Sequence, residues 1–406
     1  MITRRLILPL LFLVAIPPSR TAAEPDLPEG GTVLLLGDSI TWQNMYAVLV
    51  ESYLRRRYPE KMLKVINRGL RGDTAGGALS RLERDVVPFD PDLVVVMLGM
   101  NDGGMKGHNR GLLRRYLRDM NRLIDALQRR TRARLLLVTP TTVDPISERW
   151  REYNEMLQAM SAGLMELARQ KKVPALDLNS HFRRYSRNAL KLTPPVLLMN
   201  DALHPGPAGH LLIADHLLRV LDPGVKRKNW TRIRVDGAAP RGKAHAFDLV
   251  HDHLNVYLPA RMLPGGRLAS FDARWNQDAL WVAGLKGRFR LRIGNRVLGE
   301  FSGDLLSAGV SVDVFEASPW VEEARRVHQL IWSKWRLQYF LWDPQARGLD
   351  ALRDVGGREL ADHSLGREEA RERLGRIEAE LRSVIEPRAP VTYRVVVDTL
   401  HRSKSR

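Results

Sequence analysis

Four short polar motifs lie in order along the first half of this chain. They are Gly37-Asp38-Ser39-Ile40, Asn67 to Thr74, Gly99-Met100-Asn101-Asp102 and Asp201-Ala202-Leu203-His204. The first three come directly after the short apolar runs Thr32–Leu36, Leu63–Ile66 and Leu93–Leu98. Because open α/β sheets bind ligands at the carboxyl ends of their strands, the motifs predict a single site at that edge.

Strand-like and helix-like segments alternate through the same region. After the three runs named above, Leu135–Thr139 and Ala175–Leu178 are also strand-like, and the helical patterns are Met45–Arg57, Ala75–Val87, Leu112–Arg130, Ser147–Lys171 and Pro207–Leu221. This alternation predicts a parallel sheet with helices on both faces. Leu93–Leu98 is apolar at every position, which is typical of a central strand buried on both sides.

Ser39, Asp201 and His204 are the residue types of a serine acyl-transfer centre. A serine hydroxyl is a weak nucleophile and needs a base, which His204 can supply. Asp201, three residues before it, can hold the imidazole ring in the required tautomer. Taken alone, Ser39 is better explained as a helix N-cap, and Asp201 and His204 as a capping aspartate and an ordinary loop histidine. All three at one sheet edge favour catalysis.

Other histidines are weaker candidates. His181 and His210 are alternative bases, but neither has an aspartate three residues before it. His251 and His253 could share one face of a strand and bind a metal ion, yet a third ligand is not evident. The G-x-S-x-G elbow of α/β-hydrolases is missing, because Thr41 takes its last position.

The four motifs together resemble the sequence blocks of the SGNH (GDSL-type) esterases and acylhydrolases. The resemblance covers roughly Thr32 to Leu221, about half of the chain. It implies a flavodoxin-like, three-layer α/β fold and an acyl-enzyme formed on Ser39. It also implies an oxyanion hole made by the backbone amides of Ser39 and Gly72 and the side-chain amide of Asn101. No metal ion or organic cofactor is implied.

Several residues of these motifs have a structural reading beside the functional one. Gly72 could be a turn glycine that needs a positive φ, which is compatible with its functional role. Asn101 could instead bond to its own backbone. The residues that follow the motifs either line the substrate pocket or simply pack and face solvent: Trp42, Met105, Lys106 and His108.

The N-terminus predicts export. Arg4 and Arg5 precede the apolar stretch Leu6–Ile16, and Thr21-Ala22-Ala23 offers small residues for cleavage. We therefore expect a signal peptide over residues 1–23 and a secreted or periplasmic protein. The apolar stretch is shorter than the roughly 20 residues that span a bilayer, although an uncleaved anchor stays an alternative.

The charge and the lack of cysteine limit the classes of partner. The formal net charge is +18 and the chain has no cysteine, so disulfides and thiol chemistry are excluded. Arginines are scattered and interleaved with acidic residues, as in Arg367–Arg382, without a nucleic-acid-binding motif. This predicts a solvated basic surface that associates loosely with anionic envelope polymers and has no specific nucleic-acid partner.

A boundary near Asp222 divides the hydrolase domain, residues 30–222, from an extension over residues 225–406. The extension predicts strands at His245–Leu258, Phe289–Ile293, Val297–Phe301 and Val391–Val397, and helices at Val321–Leu341 and Gly366–Ile385. This β-plus-helix region resembles the C-terminal extensions of some bacterial GDSL-type acylhydrolases. Trp332 and Trp335 are three residues apart on one helix, which favours packing. We expect this half to dock on the α/β domain and to form one wall of the pocket.

These observations predict an exported serine esterase that cleaves a short-chain acyl ester, with O-acetyl groups on carbohydrate as one candidate substrate. The alternative is a non-catalytic polysaccharide-binding protein on the same fold. A third hypothesis is an envelope-associated nucleic-acid binder, whose affinity for DNA would fall steeply with salt. The sequence leaves the acyl length, the leaving group and the oligomeric state open.

Overall fold

The computed structural model describes residues 27–144, 147–189, 198–223, 230–234, 245–251, 257, 279–311, 315, 317–342, 366–386 and 391–400. The predicted signal peptide, residues 1–23, lies outside this part of the chain. Within the described ranges, the helices are all too short or too polar to cross a membrane.

A parallel sheet forms the centre of the first half. Its strands are β1 (Thr32–Gly37), β2 (Lys64–Gly69), β3 (Leu93–Met97), β4 (Arg134–Val138) and β5 (Ala175–Leu176). The five strands are arranged in the order β2-β1-β3-β4-β5, which is the flavodoxin-like order. This confirms the predicted fold class. Every residue of β3 is buried, as its uninterrupted apolar sequence predicts.

Helices connect these strands and cover the sheet. They are α1 (Ser39–Trp42), α2 (Met45–Arg57), α3 (Ala75–Ser80), α4 (Leu82–Asp85), α5 (Arg110–Arg130), α6 (Glu148–Lys171), α7 (Leu178–Ala189) and α8 (Pro207–Leu221), with 3₁₀ turns at Pro59–Lys61 and Val87–Phe89. Helix α2 packs on α8, whereas α5 packs on both α3 and α6. The patterns at residues 45–57 and 207–221 predict their helices with the observed bounds.

Two segments differ from the sequence-based expectation. The single helix predicted over Ala75–Val87 is wrong, because the backbone leaves the helical conformation at Arg81 (φ −103°, ψ 7°), whose side chain is buried. The strand predicted over Ala175–Leu178 ends at Leu176, and α7 begins instead. Asp177 caps that helix, accepting a 3.1 Å hydrogen bond from the Ser180 amide.

The strand register brings three loops to the same level. Gly37, the last residue of β1, is aligned with Gly69 at the end of β2 and with Met97 at the end of β3. The loops that carry the first three motifs therefore leave the sheet side by side. A Cβ on Gly69 would lie 2.3 Å from the Trp42 nitrogen, so α1 packs directly against the end of β2.

The second half contains two smaller sheets and three helices within its described residues. The strands are β6 (Trp230–Arg234), β7 (His245–His251), β8 (Ala279–Ala283), β9 (Arg288–Ile293), β10 (Arg296–Ser302), β11 (Val310–Ser311) and β12 (Val391–Thr399); the helices are α9 (Gly303–Ala308), α10 (Pro319–Trp342) and α11 (Arg367–Ile385). One sheet is antiparallel with the order β10-β9-β12-β7, and the other has the order β11-β8-β6. The predicted hairpin around Gly294-Asn295 is present. The sequence does not predict strands β6, β8 and β11.

Helices α10 and α11 pack on the α/β half. Side chains from both helices join the hydrophobic cluster that surrounds the parallel sheet: Val327, Leu330, Ile331, Trp335 and Leu381. Lys334, 1% exposed, forms a buried ion pair with Glu51 of α2. Arg55 bonds to Glu51 at 2.6 Å and to Glu378 of α11 at 3.2 Å. The two halves therefore share a core and a buried charge network, which is the docking that the sequence predicts.

Removing the second half should expose the apolar surface that α10 and α11 cover. A chain ending at Asp222 would also leave Glu51 without Lys334. We expect poor soluble expression, and stronger fluorescence of an anilinonaphthalene sulfonate dye than the full chain gives. A soluble, dye-silent chain with full activity on a small ester would show that the second half is an independent module.

Candidate active site

Ser39 lies where β1 meets α1. Asp38 caps the helix, accepting a 2.9 Å hydrogen bond from the Ile40 amide, so the alternative reading of Ser39 as the N-cap is wrong. Ser39 is instead the first helical residue. Its Oγ lies 3.0 Å from Nε2 of His204, which is hydrogen-bond distance.

His204 is held by Asp201 from the other side of its ring. Nδ1 of His204 lies 2.8 Å from Oδ2 of Asp201, and the His204 amide donates to Oδ1 at 2.7 Å. Burial alone would raise the pKa of Asp201, but the hydrogen bonds from the amide and ring of His204 outweigh it and lower the pKa. The ionised carboxylate favours the proton on Nδ1, which leaves Nε2 to accept from Ser39.

The loop that carries Asp201 and His204 is closed by backbone hydrogen bonds. The Asn200 amide donates to the His204 carbonyl at 2.7 Å. Ala202 has a φ of +67°, and its carbonyl accepts from the Asp144 amide at 2.8 Å. These bonds tie the loop to the segment that follows β4, so the two side chains are presented by a fixed turn.

Asn101 contacts the loop that contains Gly72. Its Nδ2 donates a 2.8 Å hydrogen bond to the Asp73 carbonyl. The alternative, in which the Asn101 side chain bonds to its own backbone, is therefore wrong. An amide nitrogen carries two hydrogens, and this bond uses one. Gly72 has a φ of +74° with open space around a Cβ, so its backbone conformation rather than crowding favours glycine.

A buried guanidinium lies beneath these loops. Arg81, 7% exposed, donates to Oδ2 of Asp73 at 2.6 Å, to the Arg68 carbonyl at 2.8 Å and to the Gly37 carbonyl at 3.3 Å. It also bonds to Asp85 at 3.0 Å. One side chain thus connects the ends of β1 and β2 to the loop that follows β2.

The second half extends this network. Nε1 of Trp342, at the end of α10, donates to Oδ1 of Asp85 at 2.7 Å. The Trp342 ring lies 5.0 Å from the Arg68 guanidinium. Burial alone would raise the pKa of Asp85, yet hydrogen bonds from Arg84, Trp342 and Arg81 lower it. Asp85 therefore stays ionised between the two halves.

Two further carboxyl groups lie near Ser39: Asp38 is buried and Asp102 is half-buried. Burial raises the pKa of Asp38 to about 7 and that of Asp102 to about 6, and each is raised further by a negative neighbour, Asp73 among them. Asp102 accepts from the Ala75 amide at 3.1 Å. Both carboxyl groups favour the protonated form relative to exposed aspartates.

The other histidines considered as a catalytic base or as metal ligands lie outside the triad. His210 is fully buried and its Nε2 lies 2.9 Å from Oε1 of Gln43; burial lowers its pKa to about 3. The His181 ring stacks on His216 with centroids 3.7 Å apart. His251 ends β7, and residue 253 lies outside the described residues. Within the described part of the chain, we find no cluster of three potential metal ligands.

The residues that follow the motifs differ in their exposure to solvent. Trp42 is half-buried beside Ser39, and Met105 packs partly buried on the core. Lys106 and His108 are exposed.

Asp73 and Arg81 are the functional candidates that sequence reasoning missed. Asp73 stands inside the second motif, and the tripeptide Arg71-Gly72-Asp73 gives no sign by itself that Asp73 supports the site. Arg81 lies eight residues further on, among the 64 lysines and arginines of the chain, and no local signal separates it from the exposed ones. The local sequence does not predict that the helix breaks at Arg81; the three-dimensional structure reveals it.

Arg81→Met should destabilise the protein strongly. The substitution leaves Asp73 short of its main partner and removes the hydrogen bonds from Arg81 to the Arg68 and Gly37 carbonyls. We expect the free energy of unfolding to fall by about 3–5 kcal/mol in urea titrations. Arg130→Met is the matched control. Its 2.7 Å pair with Glu83 is exposed, so the change should stay within about 1 kcal/mol. Equal effects of the two substitutions would contradict a supporting role for Arg81.

Asp38→Asn should change how stability depends on pH. The pKa of Asp38 rises from 3.8 to about 7 on folding. Between these values the native state keeps a proton that the unfolded state loses, so the free energy of unfolding falls as pH rises. Asparagine keeps an N-cap oxygen without a titrating proton. Urea titrations at pH 4.5, 6 and 8 should therefore show a smaller loss of stability at high pH than in the wild type; an identical loss would contradict this assignment.

Comparisons with known proteins agree with this architecture. Residues 35–212 match the GDSL-like lipase/acylhydrolase family. An acetylxylan esterase of Geobacillus stearothermophilus is 26% identical over 216 residues, which cover 47% of this chain and 93% of the relative. The thioesterase 1/protease 1/lysophospholipase L1 of Escherichia coli is 28% identical over 218 residues, covering 53% and 92%.

One solved structure extends the likeness to the second half. A gut microbial diltiazem-metabolizing enzyme superposes with a TM-score of 0.70, covering 94% of this chain and all of the other, at 19% identity. At that identity the likeness concerns the fold, which includes the C-terminal region. The family match over residues 35–212, the related esterases and the parallel sheet support an SGNH (GDSL-type) hydrolase domain in this chain and an enzyme that hydrolyses esters.

Proposed function

We propose that this protein is an exported serine esterase with a Ser39-His204-Asp201 triad. The observation that carries the proposal is the continuous line of hydrogen bonds from Ser39 Oγ to His204 Nε2, at 3.0 Å, and from His204 Nδ1 to Asp201 Oδ2, at 2.8 Å. A non-catalytic binding protein would have no need of a serine held against an imidazole whose other nitrogen faces a carboxylate. Residues 30–222 form the proposed hydrolase domain, and residues 225–406 form its extension.

The reaction proceeds through an acyl-enzyme. Nε2 of His204 takes the Ser39 proton while Oγ bonds to the ester carbonyl carbon, and the carbonyl π pair moves onto oxygen. The intermediate collapses, Nε2–H protonates the departing alkoxide, and the alcohol leaves. Water then attacks the acyl carbon with His204 again as the base, and the collapse releases the carboxylic acid and restores Ser39.

Three donors would bind the oxyanion: the backbone amides of Ser39 and Gly72 and Nδ2 of Asn101. The bond from Asn101 to the Asp73 carbonyl fixes the amide group with one hydrogen and leaves the second for the oxyanion. Arg81 holds Asp73 in turn, so the donors are set before the substrate binds. Preorganised donors stabilise the transition state because they need no reorganisation as charge develops.

We infer a short-chain acyl ester, with O-acetyl groups on carbohydrate as the leading candidate. Two relatives are named for acetyl esters, the acetylxylan esterase and an isoamyl acetate-hydrolyzing esterase of Saccharomyces cerevisiae, 25% identical over 243 residues. Export, inferred from the basic and apolar start of the chain, would bring the enzyme to extracellular or envelope polysaccharide. Its net positive charge of +18 would favour loose association with anionic polymers there.

Ser39→Ala and His204→Ala should each lower kcat by about four to six orders of magnitude, because each removes an element of the proton-transfer unit. The measurement is hydrolysis of 4-nitrophenyl acetate, together with covalent labelling by a fluorophosphonate. His181→Ala is the control and should stay near wild-type activity, since His181 stacks on His216 rather than on the triad. A Ser39→Ala protein with a tenth of wild-type activity would overturn the mechanism.

Asn101→Ala should lower kcat about a hundred- to a thousandfold with little change in KM, because the amide binds the oxyanion more strongly than the ground-state carbonyl. Asn109→Ala is the matched control. Asn109 caps α5 through a 2.9 Å bond from the Leu112 amide, so its loss should affect stability alone. An effect of Asn101→Ala confined to KM would place the residue in substrate binding instead.

A further inference from the structure

A groove lies at the edge of the parallel sheet that is opposite the triad. It is formed at the amino ends of β3 and β4, where Leu93 and Arg134 are paired in the sheet register. The loop that carries Ser39 leaves the carboxyl end of β1 instead. The groove therefore takes no part in the chemistry proposed above. Its volume is about 530 Å³, which is within the range of ligand-binding clefts.

The walls of the groove are mainly apolar. Leu27, Val173 and Val220 come from three separate segments of the chain, and Val220, near the end of α8, is 41% exposed. Arg134 and Lys172 also line the groove, and both residues are exposed. Among the described residues that line it, none is acidic. The groove thus combines an apolar surface with two positive charges.

Helix stability alone does not explain the position of these cations. A cation near the carboxyl end of a helix offsets the helix dipole, which accounts for Lys172, the C-cap of α6. Arg134, however, is the first residue of β4. Arg129, exposed in the last turn of α5, adds a third positive charge at the same edge. Within the described part of the chain, no ion pair neutralises Arg129 or Lys172.

The acidic residues of this edge leave a surplus of positive charge. Asp90 and Glu83 are paired with Arg132 and Arg130 at 2.6 and 2.7 Å, so those charges cancel. Glu29 is exposed two residues after the start of the groove-lining segment. It offsets one of the three cations described above. The edge therefore favours a negatively charged partner.

We propose that this edge binds the surface of an anionic phospholipid bilayer. The lipid phosphates contact Arg129, Arg134 and Lys172, while Val220 and the apolar walls of the groove contact the boundary between headgroups and acyl chains. Proteins that lie on a membrane use these two attractions together, because an anionic leaflet attracts basic residues and the boundary accepts apolar side chains. The proposal concerns where the protein is held and does not depend on the esterase function.

The start of the described chain agrees with this orientation. Leu27 is the first described residue and lines the groove. The residues before it include the apolar stretch Leu6–Ile16 of the predicted signal peptide. A leader that enters a membrane therefore holds this edge toward that membrane. The triad, at the opposite edge of the sheet, faces away from the lipid and toward substrates in solution.

An anionic polysaccharide fits this groove less well than a lipid does. The hydroxyl groups of a sugar need hydrogen-bonding partners when they are buried. Apart from Arg134 and Lys172, the described lining residues offer a single polar side chain, Gln128. Apolar walls beside positive charges match an amphiphile with a negative headgroup.

Co-sedimentation with vesicles tests the proposal on the purified, exported protein. It should bind vesicles of equal parts phosphatidylglycerol and phosphatidylcholine, bind phosphatidylcholine alone weakly, and lose affinity as salt is added. Arg134→Gln combined with Lys172→Gln should weaken binding about thirtyfold, because each basic residue contributes about 1 kcal/mol at an anionic surface.

The matched control removes two positive charges from the other edge. Arg114→Gln combined with Arg115→Gln changes exposed residues near the start of α5, beside the loops of the site. This variant should bind the mixed vesicles within about twofold of the wild type. Equal weakening by the two double variants would show an effect of total charge and would overturn the proposal.

A fluorescent label tests the orientation directly. Because the chain has no cysteine, Val220→Cys and His108→Cys each offer one site for a nitrobenzoxadiazole label. His108 is exposed in the loop after β3, at the edge of the triad. On mixed vesicles the label at position 220 should brighten and shift to shorter wavelength, whereas the label at 108 should stay unchanged. A response at 108 alone, or binding to polygalacturonate without any response to vesicles, would overturn the proposal.

Discussion

The buried guanidinium of Arg81 is the interaction on which the site depends. Where β1 and β2 end, their chains diverge into loops. The Gly37 carbonyl accepts from the Leu70 amide at 3.0 Å, and both it and the Arg68 carbonyl can accept further hydrogen bonds. Arg81 supplies them at 3.3 and 2.8 Å and uses its other hydrogens on the carboxylates of Asp73 and Asp85. Arginine suits this position because its planar, always charged group donates in several fixed directions at once. The loops that present the nucleophile and the oxyanion donors thus have one shared support.

The same support reaches the second half of the chain. Trp342 donates to Asp85 at 2.7 Å, so a residue of α10 helps to satisfy a carboxylate that itself pairs with Arg81. Lys334, on the same helix, pairs with Glu51 in the shared core. A half attached through buried ion pairs and a common hydrophobic cluster is expected to move with the hydrolase domain. It can therefore shape the substrate site as part of one rigid surface.

Features set by the local sequence could be predicted, whereas features that depend on contacts between distant parts of the chain could not. The strand β3 and the helix α8 are specified by their own apolar patterns, and the Ser39, His204 and Asp201 motifs are recognisable because each stands at a strand end or turn. The break at Arg81 could not be predicted, because it depends on carbonyls of two other strands. Likewise, Tyr339 meets Trp42 across 297 positions of the chain, and no local pattern records such a contact.

The buried carboxyl group of Asp38 links catalysis to stability. Asp38, with its pKa raised to about 7 by burial, loses its proton over the neutral range, and the charge it gains is poorly solvated. An ionised Asp38 would also oppose the developing oxyanion, because like charges repel strongly where water is excluded. Ionising the helix cap thus weakens both the fold and the oxyanion site. We therefore expect stability and catalysis to fall together as the pH rises through about 7.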